Sequence, residues 1–107
     1  MAPRSLEENS QELQAKLEEL LNTEEVYYNP PMSVLMRYPA VVFNRSNIDN
    51  GYANDSVYMQ SYRYKVTVIA EDPDCEFVDK ISRMPTCTHE RAFIADNLYH
   101  DVFNLYH

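Results

Sequence analysis

Acidic side chains crowd one short turn of this chain: Glu71, Asp72, Asp74, Glu76 and Asp79 fall within nine residues. Clustered carboxylates are what a hard divalent cation or a small metal-dependent nuclease would need, because such an ion takes several oxygen ligands. The run lacks the ordered spacing and the glycine of an EF-hand loop. Asp72-Pro73-Asp74 is also good helix-capping chemistry, so a cap with solvated acids is the favoured reading and no metal site is assigned. His89, His100 and His107 form no i, i+4 pair and stand at no zinc-finger spacing from a cysteine. Cys87 and His89 point to one side of a strand, and a nucleophile there would need that base placed beside the thiol. Cys75 and Cys87 flank a predicted helix and are read as free, inert thiols. With one glycine in the whole chain, a glycine-rich phosphate cradle is excluded. Neither a catalytic residue nor a cofactor site follows.

The elements that would carry these residues are legible from capping and period. Ser5-Leu6-Glu7-Glu8 fits a capping box, and a helix is expected from Leu6 to Asn22. Leu13, Leu17, Leu20 and Leu21 share one face of it, while Glu12 and Lys16 can pair outside. Residues 23–39 hold Asn29-Pro30-Pro31 and Tyr38-Pro39, which predict an irregular extended crossing. Ala40 to Arg45 reads as a short buried strand, and Ser46 to Val57, rich in Asn and Asp, as a long exposed loop. From Tyr58 the period is two: Tyr58, Tyr62, Tyr64, Val66, Val68 and Ala70 lie opposite Ser61, Arg63, Lys65 and Thr67. Asp74 is expected to cap a helix carrying Phe77, Val78, Ile81 and Met84 inward, stopped by Pro85. Thr86 to Ile94, the turn Ala95-Asp96-Asn97 and Leu98 to Tyr106 predict a closing hairpin. The order α-β-β-α-β-β gives an α+β fold: a mostly antiparallel sheet of four to five strands with the N-terminal helix and a short second helix on one face.

A length of 107 residues suits one domain, spanning 1–107, with a core that needs no metal or disulfide. No apolar run is long enough to span a bilayer, and the polar start carries no secretory core, so folding in a cytoplasm is expected. Nine basic against seventeen acidic residues, net −8, argue against gripping nucleic-acid phosphates. The same charge lets a polyanion pass without sticking. Nine tyrosines and four phenylalanines supply large, low-entropy contact area, the composition of an interface former rather than an enzyme. The 45–58 segment is the candidate contact with an adjacent subunit or another partner, through Arg45, Ile48, Asp49, Tyr52, Asp55 and Tyr58.

One succession of short motifs is specific in its order. Tyr28-Asn29-Pro30-Pro31, Arg37-Tyr38-Pro39-Ala40-Val41-Val42-Phe43 and Ser46-Asn47-Ile48-Asp49 come first. Tyr62-Arg63-Tyr64-Lys65-Val66-Thr67-Val68-Ile69, Asp72-Pro73-Asp74, Met84-Pro85-Thr86-Cys87 and Ala95-Asp96-Asn97-Leu98-Tyr99-His100-Asp101-Val102-Phe103 follow. Together they resemble the tail terminator proteins of long-tailed bacteriophages, also called tail-completion or minor tail proteins, over about Leu20 to Tyr106. The resemblance implies a virion protein assembled in the host cytoplasm as a homo-oligomer, a hexameric ring on the head-proximal end of the tail tube. Such a ring would stop tube growth, offer a docking face to the neck or connector proteins, and let DNA pass its lumen without specific binding. A head-completion connector of the phage neck is the alternative nearest in kind, and a small nuclease using the 71–79 acids the alternative of another class.

Overall fold

The computed structural model describes residues 5–31, 35–53 and 56–107. Helix α1 runs Leu6–Leu21, started by Ser5, whose Oγ accepts from the Glu8 backbone N–H at 3.1 Å. It ends at Asn22 in the left-handed conformation, where the Asn22 and Thr23 N–H groups return to the Glu18 carbonyl. The buried line of α1 follows the i, i+4 ridge Asn9, Leu13, Leu17, Leu21. Leu20 was expected on that face, but it stands off the ridge and remains 38% exposed.

The 23–39 crossing is not wholly irregular. Val26–Tyr28 form strand β1, paired in parallel with residues 41–43. Strand β2 runs Ala40–Ala53 and β3 Ser56–Ala70, antiparallel from Ala40↔Ile69 out to Ala53↔Ser56. The expected loop over Ser46 to Val57 is therefore strand on both sides of a hairpin. Its Asn, Asp and Ser residues signal turns only while the backbone lacks partners, and the facing strand supplies partners from Asn47 to Ala53, with a register shift between Gly51 and Tyr52.

Helix α2 spans Glu76–Ser82. Its N-cap is Cys75, without a side-chain cap bond, rather than Asp74. The Asp74 N–H instead donates to Asp72 Oδ1 at 2.9 Å, so the acidic turn closes on itself one residue before the helix begins. Strands β4, Cys87–Ala95, and β5, Leu98–Tyr106, form the closing hairpin. Its turn residues Asp96 and Asn97 both take positive φ, 53° and 63°, as a two-residue turn matched to strand twist requires.

The sheet order is β1-β2-β3-β5-β4, mostly antiparallel, which makes the fold α+β as the sequence predicts. One face is the core. Val41 and Phe43 of β2, Tyr64, Val66 and Val68 of β3, and Phe103 and Leu105 of β5 pack with Leu13, Leu17 and Leu21 of α1 and Phe77 and Ile81 of α2. The period-two face read from Tyr62 to Ala70 is the one both helices cover. A polar latch fixes α1 to it: Tyr64 Oη donates to Asn9 Oδ1 at 2.5 Å, and Asn9 Nδ2 donates to the His107 carbonyl at 3.2 Å. No helix among the described residues is long and apolar enough to cross a membrane.

Candidate functional site: the arm and the open sheet edge

Two features of the backbone leave main-chain groups open for a partner. The first is an arm. Strand β1 accompanies β2 only as far as Phe43, and β5 accompanies β3 only from Arg63 inward. Beyond those points the strand pairing among the described residues is that of β2 with β3, joined by the His107 N–H donated to the Tyr62 carbonyl at 2.9 Å. The molecule is accordingly long, 51 Å by 24 Å by 23 Å. At the arm's root the register shifts between Arg45 and Asn47, and Ser46 Oγ donates to the Arg63 carbonyl at 3.2 Å. A bulge there bends and twists the ribbon as it leaves the body.

All the interface residues proposed from the sequence fall on this arm except Asp55, which lies outside the described residues. Arg45 sits half-buried at the root, lining a groove of about 620 Å³ with Gln11, Gln14, Tyr28, Pro30 and Pro31. Ile48 follows, 39% exposed, facing Tyr62 across the ribbon. The backbone carries Asp49 opposite Ser61 and Tyr52 opposite Val57, with Tyr58 one residue further along β3. The hairpin thus gathers onto one ribbon what the sequence scatters over a supposed loop.

The second feature is β4, an edge strand with a free side and an exposed run from Thr88 to Ile94. Its first half is defended. A register shift lies between His89 and Arg91, and Glu90 pairs with Lys65 at 3.7 Å. Bulges and charges of this kind blunt an edge against unwanted pairing. The second half, Ala92 to Ala95, has neither, and it presents Phe93 at 39% and Ile94 at 66% exposure. Arg91 lies over the Phe93 ring at 5.1 Å, and that ring stacks on His100 at 4.7 Å, 13° from parallel. The sequence reading passed over this edge; the only signal was an apolar Phe93-Ile94 pair just before a tight turn.

The groups considered for chemistry go elsewhere. Asp79 pairs with Arg83 at 3.1 Å, and no group of three or more His, Cys, Asp or Glu able to hold a metal occurs among the described residues. His89 Nε2 lies 3.1 Å from Asp101 Oδ1 and its ring meets Phe103 edge-on. A His–Asp pair beside Cys87 has the outline of a nucleophile's relay. Burial, however, pushes the Cys87 thiol up, opposite to the shift a nucleophilic thiolate needs. Cys75 and Cys87 are both free.

The fold and these open edges define a class: a one-sided α+β sheet domain that extends a two-stranded arm. A search with models of known protein families finds no match, and a search of the curated proteins likewise finds none.

Proposed function

We propose that this chain is a structural subunit of a phage tail, a tail terminator that forms a ring on the head-proximal end of the tail tube. There it stops tube polymerisation, offers a docking face to the neck or connector proteins, and lets DNA pass. The observation that carries the reading is the arm. Past Phe43 and Arg63 no third strand pairs with the ribbon among the described residues, and a two-stranded ribbon is marginal in water, so a ribbon built onto a stable body is there to be covered by a partner.

The order of short motifs, which resembles that of tail terminators, supports this choice of assembly, and a net charge of −8 suits a lumen through which DNA moves without adhering. An arm at one place and an open edge at another are also the ingredients of a head-to-tail contact, which closes into a ring when the rotation per subunit permits. Six copies of the 12.6 kDa chain would weigh about 76 kDa by light scattering. The test of function is deletion of the gene from the phage that carries it. Overlong, headless tails are the expected result, and tails of normal length overturn the proposal.

A further inference from the structure

We infer that the arm of one copy adds as an extra strand to the open β4 edge of the next copy, pairing along the outer side of β2 between Asn44 and Ala53. This rests on the ring reading above and names the surfaces that make the ring.

Hydrogen-bond accounting leads to it. Among the described residues the long strand edges with no neighbouring strand are the two sides of the ribbon, β2 past Phe43 and β3 from Ser56 to Ser61, and the outer side of the nine-residue strand β4. Exposed N–H and C=O rows are templates for another strand, and natural edges are normally guarded by Lys, Pro or bulges. Past its root bulge the ribbon has a second register shift, between Gly51 and Tyr52, but no guarding side chain: from Ser46 to Ser61 the sequence contains no Lys, Arg or Pro. The β4 edge is unguarded from Ala92 to Ala95. The four-residue stretch Ala92 to Ala95 is matched by the ribbon between its two register shifts, Asn47 to Gly51, and these edges fit each other.

The two cannot meet within one molecule. Strand β5 stands between β3 and β4, and the ribbon runs on past the end of the sheet, so its free side never lies beside its own β4. A second copy is the partner that brings both. Side chains agree with this. The edge presents Phe93 and Ile94 with the Arg91 cation beside them. The ribbon sequence offers Ile48, Tyr52, Val57 and Tyr58, and its one charged residue past the root among those described is the acid Asp49. Apolar anchors with opposite charges at their rim are how strand-addition interfaces gain specificity. Because the donor and acceptor surfaces differ, the contact is heterologous and propagates.

Two variants separate the surfaces. In the first, residues 49–61 are replaced by Asn-Gly, which closes the ribbon at the Ile48↔Tyr62 pair with a favoured hairpin turn. This copy keeps its acceptor edge and loses the donor strand beyond Ile48. In the second, Ala92→Glu with Ile94→Glu places two acids on exposed edge positions, where they repel an acidic ribbon. This copy can only donate. Circular dichroism and cooperative melting establish that each folds.

By light scattering and sedimentation, wild type is expected as a closed oligomer and each variant as a monomer, while an equimolar mixture of the two gives a 1:1 pair that grows no further. Assembly of the Ala92→Glu, Ile94→Glu variant to the wild-type mass overturns the inference. So do folded variants that fail to pair when mixed, and so does a wild type that stays monomeric at the highest concentration reached. The terminator reading is judged separately by tail length in the gene deletion, so overlong tails together with an edge variant that still assembles would discard this contact and keep the function.

Discussion

Changing Tyr64 to Phe removes one oxygen from the centre of the core and tests how α1 is held on the sheet. Tyr64 is fully buried, packed at a tilt on Phe43, and its hydroxyl donates to Asn9 Oδ1. Asn9 is equally buried and passes its own N–H to the His107 carbonyl. Tyr64→Phe leaves Asn9 Oδ1 in the core without that donor, a loss of about 1–3 kcal/mol. At roughly 4–8 °C per kcal/mol for a domain of this size, melting falls by several degrees. Asn9→Ala removes the acceptor but leaves the Tyr64 hydroxyl its contact with Arg45, so its cost should be the smaller of the two. The double variant should recover part of the sum, with a coupling of roughly 1 kcal/mol. Urea unfolding followed by far-ultraviolet circular dichroism supplies all three values.

The same residue sets a pH signature. Burial first, then the neighbouring Tyr28, pushes the Tyr64 phenol above its ordinary 10.0. The unfolded chain therefore loses this proton at lower pH than the folded one. The associated stability is fully present below about pH 10 and is lost as pH rises through the folded value. Tyr64→Phe cannot show that loss, so its deficit against wild type shrinks in alkali. A Phe variant within about 0.5 kcal/mol of wild type at pH 7 would refute the latch, and a deficit that is constant from pH 8 to 11 would refute the raised Tyr64 titration.

Other consequences are simpler to state. Leu17→Ala opens a cavity where α1 meets the sheet, and thermal melting should register a loss of about 2–5 kcal/mol. Asn97→Ala puts a Cβ without a hydrogen-bonding tip at a φ of 63°, and urea unfolding should show a cost of roughly 1–2 kcal/mol with an unchanged slope. The thiol of Cys87, raised by burial, should react with iodoacetamide at neutral pH more slowly in the folded protein than in the urea-unfolded chain, as mass spectrometry of the alkylated peptide would show.

What could be read in advance follows from where each residue's partners lie. Tyr62 to Ala70 alternates because one face is core, and Leu98 to Tyr106 with its Asp96-Asn97 turn carries its own hairpin signal, so both strands were legible. Residues 46–57 were not. The sequence there does not alternate, and its Asn and Asp look like loop until the facing strand is known. Strand β1 hid among prolines for a related reason: Val26–Tyr28 pair through contacts with Val41 to Phe43, which no local pattern reports. Asp74 carries ideal cap chemistry, yet the Asx turn closed by Asp72 uses its N–H and moves the helix start to Cys75. The acids, histidines and thiols stood out by chemical type, whereas the candidate site consists of main-chain edges, which a side-chain inventory does not display.

If the arm docks on a neighbour's edge, the angle at which it leaves its own body decides how many subunits close a ring. That angle is set at the root, where Ser46 is the extra residue between Arg45↔Tyr64 and Asn47↔Arg63 and is tied to the Arg63 carbonyl. Deleting Ser46 keeps both flanking pairs and restores regular alternation, with Arg45 opposite Tyr64 and Asn47 opposite Arg63. It removes only the bend and the extra twist a bulge imparts. The edge contact is then unchanged in chemistry but altered in direction. Closure is a geometric condition, so a changed rotation per subunit gives a ring of another size or an open helical filament rather than a monomer. Light scattering and negative-stain microscopy of the Ser46 deletion distinguish these outcomes. A ring of unaltered subunit number would show that the bulge does not steer the arm, and that closure is governed by a contact elsewhere on the body.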